Sequence, residues 1–191
     1  MTDPNLQLLL DRAAISDVVH AYATGLDRRD WTLFRSIFID TIEMDFRSVG
    51  LRAGSYDAGE WVRDAARLFA GFAATQHTST NHVHDVRGDR ATCTSNMQAE
   101  HFVARESTPD ERSSREPNSG EPNSREPNYK LADAEDRWTI GGYYTNELVR
   151  TADGWKLAKV TLIVTWQTGN PDVSRIAFKR GRAIEASESG S

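Results

Sequence analysis

The chain has 191 residues, of which 38% are hydrophobic and 27% are charged, as in a globular domain that buries one sizeable core. Its net charge is −5 at pH 7 and its lysine and arginine residues are scattered, so we expect no nucleic-acid partner. Apolar residues nowhere form an unbroken run of about 18, which argues against a membrane span.

The cysteine content bears on the compartment. Cys93 is the single cysteine, so it forms no internal disulfide, and a lone thiol favours the reducing cytoplasm. Residues 1–10 contain a short leucine cluster but neither a basic region nor a cleavage site of small residues. We therefore expect a cytoplasmic protein without an export signal.

The first part of the chain predicts helices and one strand. Apolar residues from Asp11 to Leu26 recur at the spacing of an amphipathic helix, which places Asp27 at its C-terminal end. A short helix follows around Trp31, and alternating residues over 41–47 predict a strand. A further apolar stripe predicts a helix over 57–72.

The rest of the chain predicts strands. Residues 75–86 and 91–105 flank one turn, residues 138–150 and 155–166 flank another, and each pair indicates a β-hairpin. Helices followed by hairpins predict an α+β fold, in which a curved antiparallel sheet wraps around the N-terminal helices as a cone-shaped barrel with an internal pocket. We expect one domain over residues 1–170 and a tail over 171–191.

A polar segment separates the two hairpins. Residues 106–136 contain Glu-Pro-Asn three times, beginning at Glu116, Glu121 and Glu126. Such a run buries too little apolar surface to repay its ordering entropy, so it predicts a low-complexity loop. It acts either as a lid over the pocket or as an insertion without a specific role.

Several segments together resemble a known family. These are residues 22–31 (YATGLDRRDW), 44–48 (MDFRS), 75–77 (TQH), 141–147 (GGYYTNE) and 153–157 (DGWKL). Their order and spacing resemble the SnoaL-like branch of the nuclear-transport-factor-like superfamily, and they are similar to scytalone dehydratase and hexachlorocyclohexane dehydrochlorinase. The resemblance implies a cone fold and elimination chemistry.

The same resemblance implies roles for particular residues. An aspartate after the first helix orients a catalytic histidine in these relatives, and the matching residues here are Asp27 and His77. A second pocket histidine of the dehydratase matches His101. Two dehydratase tyrosines are replaced by Leu26 and Phe46, which argues against the same substrate. A dehydrochlorinase lysine is replaced by Tyr22, so its way of handling a departing halide does not carry over.

The chemistry of this residue set suits a proton transfer. A histidine titrates near neutrality, and a carboxylate behind it fixes its tautomer and stabilises its imidazolium. His77 is therefore the candidate base and Asp27 its partner, with His101 or Tyr22 as the acid for the leaving group. The candidate substrate-binding residues are Leu26, Trp31, Phe46, Met97 and Tyr143.

These assignments leave alternatives open. A buried His–Asp contact also serves as a structural hydrogen bond, His101 also fits a solvent-facing position, and Tyr22 also fits a core aromatic. The preferred function is a cofactor-independent lyase, of the dehydratase type, for a small cyclic or polyketide-like compound. An isomerase or cyclase would use the same dyad, and the fold also serves non-catalytic binding modules.

Metal and nucleotide sites are not expected. In one continuous strand His82 and His84 share the face opposite His77, so the three histidines would not converge on a metal. The sequence contains neither a glycine-rich phosphate loop after a strand nor a Gly-x-Ser-x-Gly motif.

The strand over 155–166 is apolar on both faces, with Leu162 and Trp166 on one and Leu157 and Ile163 on the other. A monomer would leave part of this area uncovered, which predicts a homodimer or homotrimer.

Overall fold

The computed structural model describes residues 3–51, 53–104 and 136–189. Helices and strands follow each other in the order α1 (Pro4–Arg28), α2 (Trp31–Ser36), β1 (Phe38–Asp45), β2 (Gly54–Asp57), α3 (Ala58–Ala70), β3 (Ala74–Arg87), β4 (Arg90–Phe102), β5 (Arg137–Thr151), β6 (Gly154–Gly169) and α4 (Asp172–Ser189). None of the described helices is long and apolar enough to cross a membrane.

Aspartate side chains cap the N-termini of the first three helices. Asp3, Asp30 and Asp57 each accept a hydrogen bond from a backbone N–H in the first turn of α1, α2 and α3, respectively. This capping satisfies donors that have no partner within the helix. Helix α1 ends where Arg29 adopts a left-handed backbone conformation with a φ of 57°. This turn leaves Asp27 in the last turn of α1, at the edge of the core.

The six strands form one sheet in the order β2-β1-β6-β5-β4-β3. The two predicted hairpins, β3–β4 and β5–β6, are both present. The sheet is not wholly antiparallel, however, because β1 pairs in parallel with β6. No hairpin turn connects these two strands, so no local signal in the sequence sets their relative direction.

The core lies between the concave face of the sheet and the helices. Its fully buried residues come from every layer and include Ile15, Phe34, Ile42, Met44, Leu148, Leu157 and Val160. Burying this apolar surface holds the helices inside the curved sheet. The predicted α+β cone is confirmed.

Strand β3 contains an irregularity that changes which side chains face inward. The register with β4 shifts between Thr80 and Val83, and Asn81 has a φ of 56°. The half-buried positions are consequently 75, 77 and 79 before the bulge and 82, 84 and 86 after it. A bulge adds one residue and reverses the alternation. The prediction that His82 and His84 face away from His77 is therefore wrong.

The C-terminal segment is also different from the prediction. Instead of a tail, residues 172–189 form helix α4, which buries Val173 and Ala177 completely. A Cβ atom at Gly71 would overlap the Ala177 carbonyl oxygen, and one at Gly181 would overlap the Arg67 carbonyl oxygen. These glycines let α3 and α4 approach closely, a contact that the polar composition of the segment does not reveal.

The predicted insert 106–136 lies outside the described residues except for Asp136. The carbonyl oxygen of Asp136 accepts a hydrogen bond from the Val103 backbone N–H at 3.0 Å. Val103 and Asp136 are therefore adjacent, next to the paired residues Phe102 and Arg137 of β4 and β5.

Candidate active site

A cavity of about 410 Å³ lies between the concave face of the sheet and helices α3 and α4. Most of its wall is apolar, formed by Leu26, Phe46, Trp61, Leu68, Phe69, Phe72, Met97, Ile140 and Leu162 among others. Leu51 and Phe178 also line it and are about half exposed, so they mark its mouth. His77, His101 and Tyr144 bring polar groups to this wall. A few polar groups in an apolar cavity are typical of a small-molecule site.

The structure brings His77 and Asp27 together at this cavity. Nδ1 of His77 lies 2.7 Å from Oδ1 of Asp27, and the His77 backbone N–H donates to Oδ2 at 2.7 Å. The His77 side chain is 10% exposed and that of Asp27 is 21% exposed. A carboxylate at Nδ1 favours the tautomer with the proton on that nitrogen, which leaves the lone pair on Nε2.

Further hydrogen bonds hold the Asp27 carboxylate in place. Thr75 Oγ1 donates to Oδ1 of Asp27 at 3.0 Å, and Arg29 Nη1 donates to Thr75 Oγ1 at 3.0 Å. Burial raises the pKa of Asp27, but the hydrogen bonds and charge of His77, together with Thr75, outweigh burial and hold this pKa below its usual value. The carboxylate therefore stays charged at neutral pH.

Aromatic rings fix the orientation of the His77 imidazole. Phe69 stacks on it with 5.9 Å between ring centroids, and His101 meets it edge-on at 5.5 Å. Both contacts come from residues that also line the cavity. The imidazole is thus confined by α3 on one side and by β4 on the other.

His101 is buried beside the dyad rather than facing solvent, with 6% of its surface exposed. Its Nδ1 lies 3.4 Å from the carbonyl oxygen of Trp138. Burial, together with the charge of His77, lowers the pKa of His101 to about 3. His101 is therefore neutral at pH 7, which suits it to accepting or donating a hydrogen bond better than to acting as a proton donor.

Tyr22 lies in the wall of a smaller neighbouring cavity, together with Ser79 and Asn146, and does not line the larger one. Its hydroxyl is hydrogen-bonded to that of Tyr144, which borders both cavities. Burial raises the pKa of both phenols, so both are protonated at neutral pH. Tyr144 is therefore the tyrosine hydroxyl that a molecule in the larger cavity meets.

The predicted substrate-binding residues divide into two groups. Leu26, Phe46 and Met97 line the cavity. Trp31 is not among the lining residues and packs against Phe34 and Phe69 at centroid distances of 6.2 and 6.4 Å. Tyr143 is not among the lining residues and is 41% exposed, whereas its neighbour Tyr144 lines the cavity. Strand β5 keeps one alternation from Trp138 and Ile140 to Tyr144, so Tyr144 rather than Tyr143 shares the inward face.

The sequence reasoning missed several residues of the cavity wall. Trp61, Phe69 and Phe72 belong to a helical apolar stripe, which is by default a core signal. The indole Nε1 of Trp61 is buried and has no hydrogen-bond partner among the described residues. Ser174 and Phe178 come from α4, which the composition did not reveal as a helix.

Comparison with known proteins places this chain in a family. The model of the SnoaL-like domain matches residues 7–161, which run from the first turns of α1 into the middle of β6 and leave out α4. The chain belongs to the SnoaL-like domain family. The resemblance predicted from the five sequence segments is thereby confirmed. No curated protein matches this SnoaL-like chain.

Solved structures share the fold. The Kfla4162 protein of Kribbella flavida is 32% identical, with a TM-score of 0.69 over 88% of this SnoaL-like chain and 99% of its own. A LinA-type3 hexachlorocyclohexane dehydrochlorinase from Novosphingobium barchaimii is 20% identical, with a TM-score of 0.63 over 86% and 93%. A protein from Novosphingobium aromaticivorans, provisionally assigned as a scytalone dehydratase, is 18% identical, with a TM-score of 0.61 over 90% and 97%. At these last two identities the likeness concerns the fold.

Proposed function

We propose that this SnoaL-like protein is a cofactor-independent lyase that eliminates water from a small cyclic or polyketide-like hydrophobic compound. The observation that carries the proposal is the contact between His77 and Asp27 in the wall of an apolar cavity. A charged carboxylate behind an imidazole is an arrangement suited to a general base.

In the first step, Nε2 of His77 takes a proton from a carbon next to a substrate carbonyl. The Nδ1–H of His77 already donates a hydrogen bond to Asp27. Protonation of Nε2 therefore gives an imidazolium that is paired with a carboxylate 2.7 Å away. The apolar surroundings strengthen this pairing because they screen charge less than water does.

In the second step, the electron pair left on carbon forms the C=C bond while the neighbouring C–O bond breaks. The departing hydroxide takes the proton from the His77 imidazolium and leaves as water, which restores the neutral base. The Tyr144 hydroxyl donates a hydrogen bond to a substrate oxygen during the reaction, since this phenol borders the cavity and stays protonated.

The cavity supports the proposed substrate class. Its volume of about 410 Å³ and its aromatic wall fit a compound of one or two rings. His101 is neutral and adjoins His77 at 5.5 Å, so we assign it to hydrogen-bonding a substrate polar group rather than to proton donation.

The test uses cyclic β-hydroxyketones of one and two rings, incubated with chelator-treated protein in D₂O. Mass spectrometry follows loss of water, and NMR follows deuterium uptake next to the carbonyl in matched ketones that lack the hydroxyl. We expect both activities to vanish in His77→Gln and to persist in His20→Gln, which makes the same change at an exposed histidine.

The products separate the possible reactions. Elimination lowers the substrate mass by one water, whereas an isomerase or cyclase leaves the mass unchanged and moves a proton. A folded His77→Gln variant that still eliminates water at the wild-type rate contradicts the role of His77.

A further inference from the structure

A second cluster of histidines lies apart from the dyad, between β3, β4 and α1. His82 and His84 project from β3 after the bulge at Asn81, and Cys93 lies directly opposite His84 on β4. One ligand atom from each of these three side chains lies within 4.8 Å of the other two. The bulge is essential, because an unbroken strand would turn both imidazoles to the outer face.

The cluster is partly buried and incompletely hydrogen-bonded. Cys93 is completely buried, and its thiol makes a long contact of 3.9 Å with the Thr94 carbonyl oxygen. Nδ1 of His84 is buried without a hydrogen-bond partner among the described residues. An unpaired buried imidazole nitrogen is unfavourable, and a bound ligand would relieve it.

Two serine hydroxyls contact the imidazoles of the cluster. Ser16 Oγ on α1 lies 2.9 Å from Nε2 of His84 and 3.0 Å from Nδ1 of His82. Ser79 Oγ lies 3.0 Å from Nε2 of His82. A metal-binding histidine commonly uses its second nitrogen for such a contact, which fixes the ring. The Ser16 contact of His84 leaves Nδ1 of His84 for the metal, whereas a metal on His82 replaces one of the two serine contacts of that ring.

We propose that His82, His84 and Cys93 form a binding site for Zn²⁺. Two imidazoles and one thiolate match the ligand preference of this borderline-soft ion, and three protein ligands leave a fourth tetrahedral position for water or another ligand. Zn–N bonds of about 2.0–2.1 Å and a Zn–S bond of about 2.3 Å place tetrahedral ligand atoms roughly 3.3–3.6 Å apart. Small rotations of the two imidazoles would bring the ligand atoms, now within 4.8 Å of one another, to this spacing.

The site is separate from the proposed lyase centre. Ser79 contacts His82 and also lines the smaller cavity beside His77, so the two centres share one wall but no ligand. The proposal therefore does not rest on the function proposed for His77.

The test titrates Co²⁺ and then Zn²⁺ into the full chain, freed of metal and kept reduced. Because Cys93 is the single cysteine, a thiolate-to-cobalt charge-transfer band arises from this residue alone. We expect the band and tetrahedral d–d absorption to saturate at one Co²⁺ per chain, and Zn²⁺ to displace Co²⁺.

Variants identify the ligands. We expect Cys93→Ser to remove the band, His84→Ala to weaken Zn²⁺ binding by roughly 100-fold or more, and Ser16→Ala to weaken it by roughly 10–100-fold. His77→Ala, which removes a histidine outside the cluster, should bind like the wild type. Circular dichroism checks that each variant is folded. If Cys93→Ser does not fold, Ser16→Ala still tests the site, because this variant keeps all three proposed ligands.

The outcomes are distinct. One-to-one binding that needs Cys93 and His84, with a thermal midpoint that rises with Zn²⁺ concentration, supports the site. Absence of the charge-transfer band, or Zn²⁺ binding that is unchanged in Cys93→Ser and His84→Ala, overturns it.

Discussion

Asp27 receives two hydrogen bonds from one residue, since both Nδ1 and the backbone N–H of His77 lie 2.7 Å from its carboxylate. The backbone bond ties the end of α1 to β3, and the ring bond orients the imidazole. A change of charge at Asp27 should therefore affect the tautomer of His77 more than its position.

Asp27→Asn tests this. The amide keeps an acceptor for the backbone N–H but cannot stabilise an imidazolium, and its NH₂ group favours the tautomer with the proton on Nε2. We expect kcat for elimination to fall by about 10²–10⁴-fold with KM nearly unchanged. Steady-state kinetics measure this, with Asp30→Asn as the control because asparagine still caps α2. A change in KM with kcat unchanged would contradict the role of Asp27 as the partner of the base.

Tyr144→Phe and Tyr143→Phe form a matched pair at adjacent positions. Tyr144 borders the cavity, whereas Tyr143 is 41% exposed on the outer side. Removing a hydrogen bond to a developing negative charge costs about 10²–10³-fold in kcat. We expect this loss in Tyr144→Phe and no change in Tyr143→Phe, measured on the same substrate. Equal kinetics for the two variants would remove Tyr144 from the mechanism.

His101 should make stability depend on pH. Burial, then the charge of His77, lowers its pKa from 6.5 to about 3 in the folded state. Between these values the unfolded chain binds a proton that the folded chain does not, so stability is complete above about pH 6.5 and is lost as the pH falls toward 3. The contribution approaches about 1.4 kcal/mol per pH unit in this window.

His101→Phe removes the imidazole that takes up a proton in the unfolded chain, and it keeps an aromatic ring in the site. Urea unfolding at pH 4, 5, 6 and 7 should therefore show a shallower loss of stability with acidification than in the wild type. His20→Phe, at an exposed position, is the control. Parallel curves for wild type and His101→Phe would show that His101 is not buried as a neutral group.

Gly181→Ala tests the contact of α4 with α3. Within a helix this substitution normally stabilises by about 1 kcal/mol. Here the new Cβ would overlap the Arg67 carbonyl oxygen, so we expect a loss of about 1–3 kcal/mol in the free energy of unfolding. Denaturant unfolding measures it, with Ala183→Gly as the reference for helix propensity alone. A gain in stability would mean that α4 does not pack as described.

The sequence by itself determined the elements that depend on local patterns. Helical spacing from Ile15 to Leu26 and the turns at Gly88 and Gly154 act over a few residues, so periodicity and turn chemistry reveal them. The family resemblance then linked Asp27 with His77, two residues that lie 50 positions apart. The dimer or trimer and the cytoplasmic location stay predictions.

Only the tertiary structure decided which side chains face inward after the bulge in β3. The extra residue at Asn81 turned His82 and His84 toward Cys93. A one-residue shift reverses every later side chain in a strand, while the sequence pattern on either side stays the same. The parallel pairing of β1 with β6 and the docking of α4 likewise depend on contacts between residues far apart in the chain, which no local signal encodes.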